Sequence, residues 1–150
     1  MLSTELSQPV QSMKRVHVVA AVIYGNPNEI LIARRPEHLH QGGLWEFPGG
    51  KIEADETAYQ GLVRELNEEL AINVIAANPF MQVSHDYSDK HILLDVWQVT
   101  AFEGEARGAE GQECCWVPIE TLLREDYEYA FPQANKPILA ALAATLHHRP

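Results

Sequence analysis

Apolar residues recur along the 150-residue chain with two kinds of spacing, and this spacing predicts its secondary structure. A nearly continuous apolar run over residues 16–24 is typical of a strand that is buried on both faces. The turn sequence Gly-Asn-Pro-Asn at 25–28 separates it from a second apolar segment, so the two segments are predicted to form a hairpin. Strands are predicted over 16–24, 29–34, 44–47, 80–87, 91–102 and 113–117.

Two further segments repeat apolar residues at the spacing of an α-helix. The first is predicted over 57–70, where Thr57 and Gln60 have the spacing of a capping box. The second is predicted over 135–146. Because strands and helices do not alternate strictly, we expect an α+β fold with a mixed sheet covered on both faces. Residues 1–13 are expected to form a flexible tail before a single domain over 14–150.

The chain is strongly acidic, with a net charge of −10 from 11 basic and 21 acidic residues. A field of this sign repels nucleic-acid polymers and acidic membrane surfaces, so neither is an expected partner. An anionic substrate would need cations to bridge it to the protein. The charge therefore favours a small-molecule ligand bound together with cations over a polymer or a membrane.

Two adjacent cysteines, Cys114 and Cys115, are the only thiols of the chain. Neighbouring residues of a strand point to opposite faces, so a disulfide between them would be strained. We expect one buried and one exposed reduced thiol. A reduced pair, no apolar run long enough to cross a membrane and no secretory signal together predict a cytoplasmic protein.

Three glutamates, Glu65, Glu68 and Glu69, lie within a stretch of five residues inside the first predicted helix. At about 100° per residue they share an arc of about 100°, beside the apolar face of the helix. Taken alone, this arc is most simply a solvated face on which Arg64 and Glu68 form an ion pair. Glu65 and Glu69, four residues apart, repel each other unless a cation neutralises them, and Mg²⁺ takes such oxygen ligands. A solvated face and a metal site therefore remain as alternatives.

The sequence around these acids favours the metal site through a resemblance. The stretch GKIEADETAYQGLVRELNEELAI at 50–72 resembles the signature of the Nudix hydrolase family, matching eight of nine defining positions over 23 residues. Ala71 stands where the family has glycine. A left-handed residue is common after a helix end, so alanine there is expected to cost about 1 kcal/mol if that conformation is kept. The matching positions hold Gly50, Glu56, Arg64, Glu65, Leu66, Glu68, Glu69 and Ile72.

Further segments resemble the MutT type within this family, the 8-oxo-dGTP diphosphatases. They are WEFPGGKIE at 45–53, SDKHILLDVW at 88–97, GAEGQE at 108–113 and FPQANKPI at 131–138. The resemblance implies an α/β/α sandwich that hydrolyses 8-oxo-dGTP to 8-oxo-dGMP and pyrophosphate, by attack at the β-phosphorus. It implies Mg²⁺ as the cofactor, with Mn²⁺ as an alternative, and a role in removing oxidised nucleotides before they cause mutations. A monomer is expected.

The resemblance also implies a catalytic centre. Arg64 is expected to orient the neighbouring carboxylates, and Glu110 to act as a metal ligand or a base. Without the resemblance, Glu110 is most simply a solvated loop acid. The expected catalytic residues are Arg64, Glu65, Glu68 and Glu110. The expected metal ligands are Glu65, Glu68, Glu69, Glu110 and the carbonyl of Gly49.

A substrate site follows from the same resemblance. Arg35 and Lys51 are candidate phosphate contacts. The Phe47 carbonyl is expected to accept the N7–H of oxidised guanine, and Asn135 to bind the guanine edge. Outside the FPQAN context, Asn135 is most simply a helix N-cap. The expected substrate-binding residues are Arg35, His40, Glu46, Phe47, Pro48, Gly49, Lys51 and Asn135.

Two alternatives differ in substrate or in activity. A CTP or 5-methyl-dCTP pyrophosphohydrolase of the same family shares the LWEF and GGK segments, but by resemblance lacks the asparagine of FPQAN. A catalytically silent module that recognises 8-oxoguanine inside a DNA glycosylase is the second alternative. The complete acidic set and the net charge of −10 argue against that module.

Overall fold

The computed structural model describes residues 14–25, 28–38, 42–124 and 129–147. The predicted tail over 1–13 and the predicted substrate ligand His40 lie outside these residues. The described strands are β1 (Lys14–Gly25), β2 (Glu29–Arg34), β3 (Trp45–Glu46), β4 (Gly49–Lys51), β5 (Asn73–Tyr87), β6 (Lys90–Glu103) and β7 (Cys114–Pro118). The helices are α1 (Ala58–Leu70), α2 (Ile119–Leu122) and α3 (Lys136–His147), and a 3₁₀ turn over Gln133–Asn135 precedes α3.

Strand β1 lies at the centre of a mixed seven-stranded sheet. It runs parallel to β6 along most of its length and antiparallel to the short strand β4. Strands β5 and β6 form a long hairpin, and β2 pairs with both β3 and β7. The predicted hairpin of β1 and β2 is confirmed, but the two strands pair only beside their turn.

Apolar side chains cover both faces of this sheet because successive residues of β1 point to opposite sides. Ala20 and Val22 pack into a cluster that includes residues of α2 and α3, whereas Val19, Ala21 and Ile23 pack against α1. Helices α1 and α3 therefore lie on opposite faces, which confirms the predicted α/β/α sandwich. In the described part of the chain, no helix is both long and apolar enough to cross a membrane.

Helix α1 begins and ends as its local sequence predicts. The Gln60 amide donates to Thr57 Oγ1 at 3.1 Å, and the Thr57 amide donates to Gln60 Oε1 at 2.9 Å. Ala71 follows the helix with φ 60° and ψ 34°, and its N–H donates to the Asn67 carbonyl at 3.1 Å. The capping box and the left-handed helix end are confirmed. Ala71 thus carries a steric cost that glycine would avoid.

Other element bounds differ from the sequence pattern for identifiable reasons. Strand β5 begins at Asn73, whereas the sequence pattern predicts a start at residue 80. The first part of the strand is missed because its pairing with β6 contains register shifts, which break the alternation of side chains. Pro79 is tolerated there because β5 is an edge strand. Strand β4 and helix α2 are too short to show any periodicity. The second predicted helix is preceded by a 3₁₀ turn that ends at Asn135.

The expectation for the two cysteines is wrong, because both are half-buried. Cys114 packs against the α1 side of the sheet and Cys115 against the α3 side. Strand β7 is covered on both faces, so opposite orientation does not expose either thiol. Burial raises the pKa of the Cys114 thiol to about 11, which keeps it in the unreactive protonated form.

Candidate active site

Arg64 links three acidic side chains through hydrogen bonds. Its Nε and Nη2 donate to the two oxygens of Glu56 at 2.6 and 2.8 Å, and its Nη1 donates to Glu65 at 2.9 Å and to Glu68 at 3.1 Å. Nη2 also donates to the Lys51 carbonyl at 3.0 Å, which ties α1 to β4. The hydrogen bonds from Arg64 lower the pKa of Glu56 to about 2. The predicted Arg64–Glu68 pair is therefore part of a larger network.

Glu65 lies directly against the main chain of β4. A Cβ atom added at Gly50 would stand 2.3 Å from Glu65 Oε2, so any side chain at that position would displace the Glu65 carboxylate. Burial raises the pKa of Glu65, and the carboxylates of Glu68 and Glu110 raise it further, although Arg64 opposes this. Glu65 is thus an acid held in a fixed position beside other negative charges.

Glu69 lies on the buried side of α1, where the sequence places it in a band beside that face. Only 8% of the residue is exposed. Burial raises the Glu69 pKa to about 8, with further contributions from the charges of Glu46, Glu65 and Glu110, while a hydrogen bond with the Gly49 main chain opposes the shift. An ionised Glu69 is therefore poorly compensated by the protein alone.

A loop after β6 brings a fourth acid to the same region. The Ala109 amide and Gln112 Nε2 both donate to the Glu69 carbonyl at 2.9 Å, so the loop binds the last turn of α1. These bonds satisfy one of the main-chain acceptors that a helix end leaves unpaired. Glu110 is exposed on this loop, and its charge raises the pKa of both Glu65 and Glu69. The sequence-predicted acids are therefore brought into one electrostatic environment.

The chemistry of these acids fits a divalent cation. Carboxylate oxygens are the donors that Mg²⁺, Mn²⁺ and Ca²⁺ prefer. Three neighbouring acids with one of them buried repel each other, and a bound cation would remove this repulsion. In the described part of the chain, no three acidic, histidine or cysteine groups converge as ligands. Arg64 donates hydrogen bonds to one oxygen of Glu65 and one of Glu68.

A cavity of about 220 Å³ lies on the opposite face of the sheet from α1 and reaches the main chain of Gly49 and Gly50. Arg35 lines it and donates to Glu46 at 3.1 Å. Burial raises the pKa of Glu46, although Arg35 opposes the shift. The floor is apolar and is formed by side chains of β1 and β6, namely Val16, Val18, Ala20, Ile92 and Leu94.

Asn135 and Phe47 form one wall of this cavity. The Phe47 amide donates to Asn135 Oδ1 over a long contact of 3.5 Å, and the Phe47 ring stacks on Phe131 with centroids 5.4 Å apart. Asn135 is 9% exposed, and within the described residues its Nδ2 makes no hydrogen bond. The amide oxygen is thus directed to Phe47 and the donor group is left for a ligand.

Most of the predicted substrate residues line this cavity, but Pro48 does not. Pro48 is buried away from it, and its carbonyl accepts from the Ala21 amide at 2.8 Å. Tyr87 and Lys90 line it although the sequence pattern did not indicate them. The alternation of β6 places Lys90 on the face of Ile92, and this is the signal that could have identified it. The predicted residues that do line the cavity are Arg35, Glu46, Phe47, Gly49, Lys51 and Asn135.

Comparison with known proteins agrees with this arrangement. A family profile described as "NUDIX domain" matches residues 18–141. The 8-oxo-dGTP diphosphatase of Escherichia coli (strain K12) is 40% identical over 130 residues, which cover 87% of this chain and 98% of that protein. The CTP pyrophosphohydrolase of the same strain is 39% identical over 138 residues, covering 92% and 98%.

A solved structure shows the same fold. It comes from a study of MutT from Aliivibrio salmonicida and Vibrio cholerae, and it superimposes with a TM-score of 0.75 at 42% identity, covering 88% of this chain and 99% of that one. The chain belongs to the Nudix hydrolase family. Members of this family generally use divalent metal ions, which agrees with the acids around Arg64.

Proposed function

We propose that this protein hydrolyses 8-oxo-dGTP to 8-oxo-dGMP and pyrophosphate with the help of Mg²⁺. One observation carries the proposal: the Gly49–Lys51 strand joins the acids of α1 to a cavity whose wall presents the Asn135 amide. A nucleotide bound there would have its phosphates beside the acids and its base beside Asn135. The 8-oxo-dGTP diphosphatase relatives support the choice of substrate.

The phosphate end of the site has two cationic side chains. Arg35 and Lys51 both line the cavity beside Gly49 and Gly50. The ion pair with Glu46 holds Arg35 in place, and this limits the entropy that would be lost when Arg35 binds a phosphate oxygen. These two cations offset the negative field of the chain where the polyphosphate would lie.

The acids of α1 form the reactive end. Glu65, Glu68 and Glu69, together with Glu110 and the Gly49 carbonyl, would hold Mg²⁺. The bound ion would neutralise phosphate charge and make a water molecule more acidic. Arg64 fixes Glu65 in one orientation through the hydrogen bond of 2.9 Å. Glu65 is a candidate to take the proton of the attacking water, because burial and the charges of Glu68 and Glu110 raise its pKa. Glu110, which lies in the same group of acids, is the second candidate.

The base end supplies selectivity. Oxidation of guanine turns N7 from an acceptor into a donor and adds a carbonyl at C8. The Phe47 carbonyl is our candidate acceptor for that new N7–H, and Asn135 Nδ2 is our candidate donor to the base. Removing one such partner leaves a buried polar group unpaired, which is how a polar pocket rejects the wrong base.

A second candidate function is the hydrolysis of CTP. It is favoured by the CTP pyrophosphohydrolase relative, which matches the chain over a slightly longer stretch than the 8-oxo-dGTP diphosphatase. Asn135 favours the purine substrate, since by resemblance the pyrimidine enzymes lack this asparagine.

The proposal includes a cellular setting. We expect a monomer that works in the cytoplasm, where it acts on free nucleotides and not on nucleic-acid polymers. The net charge of −10 supports the last point because it repels polyanions that lack accompanying metal ions. Light scattering at several protein concentrations would check the monomer.

Product analysis tests the proposed reaction. The protein is incubated with 8-oxo-dGTP and Mg²⁺, with a parallel sample in EDTA, and the nucleotide and phosphate products are separated. We expect equal amounts of 8-oxo-dGMP and pyrophosphate, with no product in EDTA. Release of orthophosphate and 8-oxo-dGDP, or turnover that persists in EDTA, would contradict the proposal.

A further inference from the structure

The Glu110 side chain is not held by any other side chain in the part of the molecule that the structure describes. Its carboxylate forms no ion pair there, and the residue is exposed. Its charge nevertheless acts on both Glu65 and Glu69. The place of this carboxylate beside α1 therefore depends on the main chain of the loop that carries it.

That loop forms a β-turn over residues 108–111, in which Glu110 is the third residue. The Gly111 amide donates to the Gly108 carbonyl at 3.0 Å, and Gly111 has a φ of 86°. A Cβ atom at Gly108 would overlap the Gln112 carbonyl oxygen, so the loop also crosses itself closely. The amide of the third residue of a β-turn has no partner within the turn. The Glu110 amide therefore needs a partner from elsewhere.

The Gln112 side chain supplies this partner and links it to α1. Gln112 Oε1 accepts from the Glu110 amide at 3.0 Å, and Gln112 Nε2 donates to the Glu69 carbonyl at 2.9 Å. The orientation of the side-chain amide is unambiguous, because a main-chain N–H can only donate and a carbonyl can only accept. One planar group thus connects the main chain of two acids that come from separate segments.

The other bonds between this loop and α1 all lie before Glu110. The Arg107 amide donates to the Leu70 carbonyl at 3.0 Å, and the Ala109 amide donates to the Glu69 carbonyl at 2.9 Å. Strand β7 begins only at Cys114. Gln112 is therefore the described contact that fastens the loop to α1 on the far side of Glu110, and without it Glu110 could pivot about Ala109.

We propose that Gln112 is a positioning residue for hydrolysis, which acts by holding Glu110 beside the acids of α1. The inference rests on the proposed function, because that function gives Glu110 its part in the reaction. Gln112 does not line the nucleotide cavity. Its loss should therefore affect the reaction through Glu110 and not through binding of the base. A small displacement of a catalytic group lowers the rate strongly, so a single hydrogen-bonding side chain can matter here.

Steady-state hydrolysis of 8-oxo-dGTP with Mg²⁺ tests this role in wild-type protein, Gln112→Met, Glu110→Gln and the double variant. Methionine has nearly the length of glutamine but can replace neither bond. We expect Gln112→Met to lower kcat about ten- to a hundredfold and to leave KM nearly unchanged. In the Glu110→Gln background the same substitution should cause no further loss, because its effect passes through Glu110. Additive losses in the double variant, or a wild-type kcat in either single variant, would overturn the inference.

Gln60→Met is the matched control. Gln60 is a glutamine of the same helix, and its side chain also accepts from a main-chain amide, that of Thr57, at 2.9 Å. The substitution removes one bond at the other end of α1 and leaves the Glu110 loop untouched. It should lower the melting temperature and keep the wild-type kcat. Equal losses of kcat in Gln60→Met and Gln112→Met would show that Gln112 acts only through the stability of α1, which would overturn the inference.

Amide hydrogen exchange in the metal-free protein, followed by NMR, gives a readout that does not depend on turnover. The bond from the Glu110 amide to Gln112 is exposed at the surface, so breaking it opens that amide to water. We expect Gln112→Met to speed exchange at Glu110 at least about tenfold, while the Arg107 amide keeps its protection. An unchanged exchange rate at Glu110 would overturn the inference.

The two proposals fail in different ways. If wild-type protein hydrolyses 8-oxo-dGTP and Gln112→Met does so equally fast, only the role of Gln112 is overturned. If wild-type protein does not hydrolyse 8-oxo-dGTP, the proposed function is overturned and the role of Gln112 in hydrolysis with it. Faster exchange at Glu110 in Gln112→Met would then show the contact to be structural alone.

Discussion

The acidic face of α1 and the cavity on the other side of the sheet are built in contrasting ways. The acids Glu65, Glu68 and Glu69 come from five consecutive positions of one helix, and Arg64 of that helix orients Glu65 and Glu68. The cavity takes residues from β1, β3, β4, β5 and β6, from the connections between elements and from the 3₁₀ turn before α3. The reactive end is thus a local feature of the sequence, whereas substrate selection depends on the tertiary pairing of distant segments. Changes in the two regions should therefore have separable effects on rate and on selectivity.

The largest effect should follow from removing one acid of α1. We expect Glu65→Gln to lower kcat for 8-oxo-dGTP by about two to four orders of magnitude, the range for a positioned acid–base group. Binding of 8-oxo-dGMP should change little, because the base contacts are on the other side of β4. Stability without metal should hold or rise slightly, since the ionised Glu65 is disfavoured by burial.

The control for this variant is Glu103→Gln, an exposed acid at the end of β6. It removes the same charge from a residue that neither pairs with Arg64 nor lines the cavity, so its kcat should equal that of the wild type. Near-normal turnover in Glu65→Gln would remove Glu65 from the mechanism. Equal losses in both variants would point to net charge as the cause.

Asn135→Ala should affect selectivity more than rate. Losing one side-chain partner costs about 1–3 kcal/mol, so kcat/KM for 8-oxo-dGTP should fall about ten- to a hundredfold. The value for dGTP should fall less, because that base makes fewer of the matched contacts. If Asn135 only caps α3, stability should drop by about 1 kcal/mol and both substrates should lose equally. Steady-state kinetics on both nucleotides, together with thermal unfolding, distinguish these outcomes.

A pH prediction separates buried Glu69 from surface Glu56. The Glu69 pKa in the folded, metal-free protein is about 8, above its ordinary value of 4.5. The folded state therefore holds this proton more tightly, so its contribution to stability is full at low pH and is lost as the pH rises from about 4.5 to about 8. The Glu56 pKa is lowered to about 2, so its contribution is instead lost as the pH falls below 4.5.

Thermal unfolding in EDTA between about pH 5 and pH 8 tests the assignment to Glu69. Wild-type protein should lose stability across this range, and Glu69→Gln should show a flatter profile with its advantage largest at the alkaline end. Glu56→Gln should keep the wild-type slope in this window. Parallel profiles for wild type and Glu69→Gln would show that another group causes the loss.

The smallest predicted effect concerns the end of α1. Ala71 has a left-handed backbone conformation, with φ 60°, that glycine adopts without steric cost. We expect Ala71→Gly to raise the free energy of unfolding by about 1 kcal/mol and to leave kcat unchanged. Urea denaturation measures the first quantity. A loss of stability would mean that the entropy gained by glycine in the unfolded chain exceeds the relief of strain.

Much of the fold follows from local signals. The capping box of Thr57 and Gln60, the apolar run of β1 and the left-handed Ala71 are determined by neighbouring residues, so the sequence predicts them. The position of Glu69 is less local. It depends on the rotation of α1 about its own axis where the helix packs on the sheet. Helical geometry alone places Glu69 beside the apolar face, but in the structure the acid is buried.

The cavity is the part that the sequence pattern predicts least. Resemblance indicates Arg35, Lys51 and Asn135, but it gives no reason to select Lys90. That lysine reaches the cavity because β6 runs parallel to β1, which places Lys90 at the far end of the floor. A pairing between strands far apart in the chain leaves no local signal. Short strand β4 has no periodicity either, although it joins the cavity to the acids.

The most direct test of the central claim compares kcat/KM of the wild-type protein for 8-oxo-dGTP, dGTP and CTP in one buffer with Mg²⁺. A site that combines the α1 acids with Asn135 should use 8-oxo-dGTP best, release pyrophosphate, and use dGTP and CTP at least about a hundredfold less well. A kcat/KM for CTP equal to or above that for 8-oxo-dGTP would contradict the account and identify the pyrimidine as the substrate.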